Sequence, residues 1–103
     1  MASKLKVYIS GPMTGCPDWN FPAFHKKAAE LREAGLEPVN PAENFDGQTD
    51  LPRELYMKTD IGQLLLCDRI TFLPGWQGSR GAAIEALVAI ECGIKPLEDD
   101  CYE

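Results

Sequence analysis

Short apolar runs alternate with stretches of helical periodicity from one end of the chain to the other, and this alternation most restricts the fold. Leu5 to Ser10 reads as a strand. Phe21, Phe24, Ala28 and Leu31 then recur at helical spacing, with Asn20 placed as an N-cap, Pro22 in the first turn and Gly35 as the stop. Leu36 to Val39 is a second strand. A polar loop runs to Asp50, which is placed to cap a second helix starting near Pro52 and ending around Cys67. Arg69 to Leu73 is a third strand, Ser79 to Cys92 a third helix, and Ile94 to Leu97 a last strand after Gly93. The order βαβαβαβ implies parallel strands, right-handed crossovers and helices on both faces of the sheet.

In such sheets ligands bind beyond the carboxyl ends of the strands, where the strand order switches. Two glycine loops fall at that edge. SGPMTG (Ser10 to Gly15) follows the first strand, and LPGWQGSRGAAIE (Leu73 to Glu85) leads from the third strand into the third helix. Ser79 as N-cap would offer a hydroxyl and free N–H groups to an anion. Gly81 lies one turn before Glu85 on the same helical face, and helical side chains lean toward the N-terminus. The Glu85 carboxylate is therefore expected over Gly81, with space for a ligand between them. A glycine-rich turn followed by a solvated glutamate is the plainer reading of the same residues.

The other candidates carry plain alternatives too. Asp60 interrupts an apolar helical run and fits either an outward-facing or a functional residue; Asp68, at the handover to the third strand, reads first as a turn residue. Tyr8 alternates within the first strand and suits core packing. Trp76 is placed either to stack on a base or simply to pack. His25 reads as a solvated helix residue.

Composition narrows the partners. The chain has 103 residues, enough for one domain over 1–103, and a net charge of −6, which disfavours binding to a nucleic-acid polymer. The cysteines Cys16, Cys67, Cys92 and Cys101 show no CxxC spacing and have only His25 to join them, which argues against a zinc site. Cys67 and Cys92 fall in apolar helical runs as small core residues. No signal peptide and no apolar run near the ~18 residues of a membrane span is found, so a reduced cytoplasmic protein is expected.

YISGPMTG, NFPAFHKKAAELREAGLEPVNPAE, the Asp60/Asp68 pair and LPGWQGSRGAAIEALVAIECGI together resemble the short nucleoside 2-deoxyribosyltransferase-like domains common in phage and prophage genomes. The resemblance covers nearly the whole chain. It implies a doubly wound, Rossmann-like domain with strand order 2-1-3-4, working in the cytoplasm of a bacterium or phage-infected host. It implies Glu85 as nucleophile toward the anomeric carbon, Tyr8 as the residue orienting it, and Asp60 beside the base. Ser79 falls where relatives acting on free nucleosides have an aspartate and monophosphate hydrolases a serine, which favours a 5′-monophosphate. Gly11, Gly15, Arg80, Gly81, Trp76 and Asp68 complete the expected binding residues. The expected reaction is cleavage or exchange of an N-glycosidic bond without metal or cofactor. Its alternative is a nucleotide-binding module without turnover, a phage sponge or sensor of a nucleotide signal. A homodimer is expected, because family sites lie at subunit contacts and the second helix offers an apolar face.

Overall fold

A computed structural model describes residues 4–97. The strands β1 (Lys6–Ser10), β2 (Glu37–Val39), β3 (Arg69–Phe72) and β4 (Lys95–Pro96) alternate with the helices α1 (Phe21–Glu33), α2 (Arg53–Leu64) and α3 (Arg80–Glu91). The sheet has the order β2-β1-β3-β4, and every neighbouring pair is parallel. Tyr8 pairs with Ile70 and Ser10 with Phe72, placing the ends of β1 and β3 level at the switch in strand order.

Strand alternation divides the interior in two. Val7 and Ile9 face α1 and pack with Phe24, Ala28, Leu31, Ala42 and Leu73. Tyr8 faces the other way, where α2 and α3 cover the sheet with Leu64, Cys67, Ala89 and Ile94. Gly11 lets the ends of β1 and β3 close together: a Cβ there would lie 2.7 Å from the Leu73 Cβ. Gly35 stops α1 in the left-handed conformation (φ +82°) that a side chain would oppose.

Element ends move by a residue or two from the sequence reading, and three expected details change. Asn20 does not cap α1. It sits at φ 60° after two more left-handed residues, Asp18 and Trp19, and its Nδ2 donates instead to the Pro12 carbonyl at 2.9 Å. Asp50 does not cap α2 either; the helix follows Pro52, with no side-chain cap. Cys67 is buried as expected, its Sγ donating to the Gln63 carbonyl, but Cys92 is exposed where α3 ends. Cys101 lies outside the described residues. No helix among those described is long and apolar enough to cross a membrane.

Candidate active site

β1 presents Tyr8 and Ser10 on the α2/α3 face because they are two residues apart in a strand. Glu85 projects from the second turn of α3 onto the same face, although only 6% of its surface is exposed. The Tyr8 hydroxyl donates to Glu85 Oε2 at 2.6 Å, and the Ser10 hydroxyl donates to Oε1 at 2.7 Å. Both oxygens are held, which fixes the plane of the carboxyl group. Burial pushes the Glu85 carboxyl up to about 7 and the charge of Asp60 adds to this, while the two hydroxyl donors oppose it. Burial first, then the charges of Glu85 and Asp60, hold the Tyr8 hydroxyl well above its ordinary range, so it stays a donor.

Asp60 reaches the same space from α2. Burial raises its carboxyl to about 6 against the opposing hydrogen bond from Asn44, whose Nδ2 donates to Asp60 Oδ1 at 2.9 Å. Two carboxyl groups thus share one partly dry site. Burial moves both toward neutrality, a shift of the kind found where carboxyl groups take part in acid–base chemistry. Among the described residues no three His, Cys, Asp or Glu side chains gather as a metal site.

Tyr8, Asp60 and Glu85 border a cavity of about 670 Å³. Its other walls come from Gly11–Thr14 after β1 and from Gly78–Ala82 at the start of α3, so parts of both glycine loops border this cavity. Ser79 caps α3: its Oγ accepts from the Ala82 N–H at 3.3 Å and its carbonyl from the Ala83 N–H at 2.9 Å, leaving the Arg80 and Gly81 N–H groups without acceptors inside the helix. Gly81 opens onto the cavity, where an added Cβ would meet the Met57 sulfur at 3.6 Å. Arg80 lies at the rim.

Three expected residues lie elsewhere. Trp76 stacks on Phe72, ring centroids 4.3 Å apart, and does not border the cavity. Asp68 accepts from the Lys6 N–H at 2.9 Å at the opposite, amino-terminal edge of the sheet. Gly15 makes a left-handed turn (φ +83°) beyond the cavity wall. Trp19, Phe21 and Tyr56 provide the aromatic wall instead, with Met13 and Met57 between them. Arg53, in the first turn of α2, is a further cation on the lining. The ion pairs among the described residues, Lys27–Glu30 and Arg32–Glu43, use neither Arg53 nor Arg80. Ser10, Asn44 and Arg53, like the aromatic and methionine residues of the wall, were not named as site residues from the sequence. The serine after a tyrosine in a strand was the one legible signal, since i and i+2 share a face.

A family model matches residues 5–97, described as a domain of unknown function. The chain belongs to the DUF4406 family. Its fold is also that of a solved structure, the 2-desoxiribosyltransferase from Leishmania mexicana, with a TM-score of 0.70 and 21% sequence identity. That match covers 90% of this DUF4406 chain and 62% of the other, so the chain spans less than two thirds of the protein it resembles. At that identity the likeness establishes a shared deoxyribosyltransferase-like fold. No curated protein matches the sequence.

Proposed function

We propose that the protein cleaves or exchanges the N-glycosidic bond of a deoxynucleoside 5′-monophosphate through a covalent glutamyl-deoxyribose intermediate. The carrying observation is the double clamp on Glu85, with Asp60 on the same cavity. A glutamate held by two hydroxyls in a water-poor pocket is built for a directed attack rather than for solvation. A shared fold with a protein named as a deoxyribosyltransferase supports the sugar chemistry.

In the first half-reaction a Glu85 oxygen bonds to C1′ as the C1′–N bond breaks through an oxocarbenium-like state. The bonding electrons leave with the base, and Asp60, protonated, gives its proton to a ring nitrogen. Tyr8 and Ser10 keep the carboxylate aimed and stabilise it until its charge passes into the new bond. Asp60, now ionised, takes a proton from water or from an incoming base. That nucleophile then displaces Glu85 from C1′ and restores the free carboxylate. The aromatic wall of Trp19, Phe21 and Tyr56 suits the base. Ser79, the α3 N-terminus, Arg80 and Arg53 suit a 5′-phosphate.

The direct test is incubation with each of the four deoxynucleoside monophosphates, reading free base by chromatography and a deoxyribosyl adduct on Glu85 by mass spectrometry. Binding without base release would instead favour the nucleotide-binding module. Assembly as a homodimer belongs to the same proposal. Leu65 and Leu66 just past α2, and Leu87 and Ile90 on α3, stand 51%, 75%, 58% and 51% exposed on the helical layer covering the Tyr8 face. A monomeric mass by light scattering at micromolar concentration would refute it.

A further inference from the structure

Asn44 sits in the loop between β2 and α2, and its side-chain amide is engaged on every side. One Nδ2 hydrogen goes to Asp60 Oδ1 at 2.9 Å and the other to Gln63 Oε1 at 2.8 Å, while Gln63 Nε2 donates back to Asn44 Oδ1 at 2.9 Å. The two amides form a reciprocal pair, so neither can turn over alone without losing bonds. The loop itself is pinned. Phe45 and Asp46 follow Asn44 in left-handed conformations at φ 55° and 54°, which non-glycine residues adopt only when their surroundings impose it. Phe45 packs edge-on against Tyr56 of α2, ring centroids 5.4 Å apart, and the Tyr56 hydroxyl donates to the Gln48 carbonyl at 2.6 Å and accepts from the Leu51 N–H at 3.1 Å.

With both Nδ2 hydrogens and one Oδ1 lone pair engaged, the amide has no donor left to read a base, although Asn44 borders the cavity. Its effect falls on Asp60. Oδ1 receives Asn44, whereas Oδ2 has no hydrogen-bond partner among the described residues, and no side-chain oxygen or nitrogen among them is both buried and unpartnered. Oδ2 therefore reaches open space, which for a residue on this lining is the cavity. A proton on Oδ1 would face the Asn44 N–H; a proton on Oδ2 faces the ligand.

We propose that Asn44, locked by Gln63, is a positioning residue that keeps the Asp60 proton on the oxygen facing the cavity, from which it passes to the departing base. The inference rests on the reaction proposed above. In the step it governs, the Oδ2–H bond breaks, a base nitrogen gains the proton, and the electrons of the C1′–N bond become that nitrogen's lone pair. Tyr8 from β1 and Glu85 from α3 face the same carboxyl and stay in place in either variant below.

Two measurements test it on the full chain, using Asn44→Ala and Gln63→Leu variants shown to be folded by circular dichroism. The first follows the Asp60 carboxyl carbon by NMR across pH. An N–H donor stabilises the ionised form, so Asn44→Ala should move the Asp60 midpoint upward by about half a unit or more, and Gln63→Leu by less in the same direction. The second compares two substrates at one pH. With an ordinary purine deoxynucleotide Asn44→Ala should lose about tenfold or more in kcat, part of the ~10²–10⁴ that general acid catalysis supplies. With an N7-methylated purine deoxynucleotide, whose base already carries the positive charge that protonation would add, the loss should stay within about threefold. The alkaline limb of the pH–rate profile should move up while its plateau falls, a pairing that loss of fold does not produce.

An unmoved Asp60 midpoint in folded Asn44→Ala, or equal losses on both substrates, overturns the inference. If the wild-type protein releases no base from any deoxynucleotide, the proposed reaction falls and proton delivery falls with it; the NMR titration then decides separately whether Asn44 holds Asp60.

Discussion

Val7 and Ile9 leave β1 on one side of the sheet, and Tyr8 and Ser10 leave it on the other. The first pair meets only the apolar residues of α1 and its neighbours, and serves stability. The second pair meets a buried carboxyl group. That second face carries a cost, because burial raises both Glu85 and Asp60 and so disfavours their charged forms. The strand separates an apolar core from a buried polar cluster with a period of two residues. One side supplies the rigidity against which the other holds a group that would otherwise be solvated.

The largest effect expected from breaking this division is at Glu85. Glu85→Gln should lower base release at least a thousandfold, about 4 kcal/mol of barrier, in a single-turnover assay; a variant keeping more than about a tenth of the wild-type rate rules out the nucleophile role. Its stability should change in a definite direction. The folded Glu85 carboxyl lies near 7 against an ordinary 4.5, so its contribution is complete below about pH 4.5 and is lost as pH rises through 7. Thermal melts of the wild type should therefore weaken across that window. Glu85→Gln should melt more evenly, and gain on the wild type above pH 7 by on the order of 3 kcal/mol at most.

Ile9→Ala probes the opposite face one residue before Ser10. It should cost about 2–5 kcal/mol in urea unfolding while base release per folded molecule stays near wild type. Equal damage to both properties would mean that the two faces are not separable.

Ser79→Asp sharpens the comparison at the edge where the Tyr8 face meets the cavity, and tests the proposed phosphate position. Two unit charges ~4 Å apart at an effective dielectric near 20 repel by about 4 kcal/mol before relaxation. Calorimetric titration should show at least ~tenfold weaker binding of a deoxynucleoside monophosphate, with a free deoxynucleoside unaffected. Parallel weakening of both ligands would leave Ser79 as a helix cap only.

The smallest effect is expected from Ser10→Ala. Its hydroxyl helps to keep Glu85 ionised, so removing it should raise the Glu85 midpoint and shift the acid limb of the pH–rate profile upward. Loss of one hydrogen bond to a charged group, about 1.5–3 kcal/mol, corresponds to about one to two pH units, so the loss should be full below about pH 6 and fade only above about pH 8–9. A uniform loss at every pH would argue against a direct hold on the carboxyl group.

The sheet was legible in the sequence because each strand is a brief apolar run closed by a turn signal, and alternation with helices leaves few topologies. Glu85, Tyr8 and Asp60 were named together through the family resemblance, since their separation of tens of residues carries no periodic signal. The partners were harder. Ser10 is the last residue of a strand that runs into a glycine loop, where its hydroxyl gives no sign of its partner, and Asn44 lies in PAENFDG, rich in the turn formers Pro41, Asn44, Asp46 and Gly47. Its aim depends on the left-handed backbone at Phe45 and Asp46, which local propensity does not announce. The aromatic wall was misplaced for a similar reason: Trp76 found Phe72 as a stacking partner, while Trp19 reaches the cavity through a run of left-handed residues. The Asp60/Asp68 pair spans the end of α2, so the chain turns between them and the two carboxyl groups finish at opposite edges of the sheet.

The position of β1 inside the sheet bears on how the molecule is made. β1 precedes both of its partners in the sequence, pairing on one side with residues 37–39 and on the other with residues 69–72, so its second edge stays open until Phe72 has been synthesised. Glu85 comes later still. During translation Tyr8 and Ser10 must wait without their partner, beside an unpaired strand edge of the kind that invites association between nascent chains. Slow, late closure is the kinetic counterpart of long-range parallel pairing. The clamp on Glu85 therefore closes only after β1, β2 and β3 have all been made.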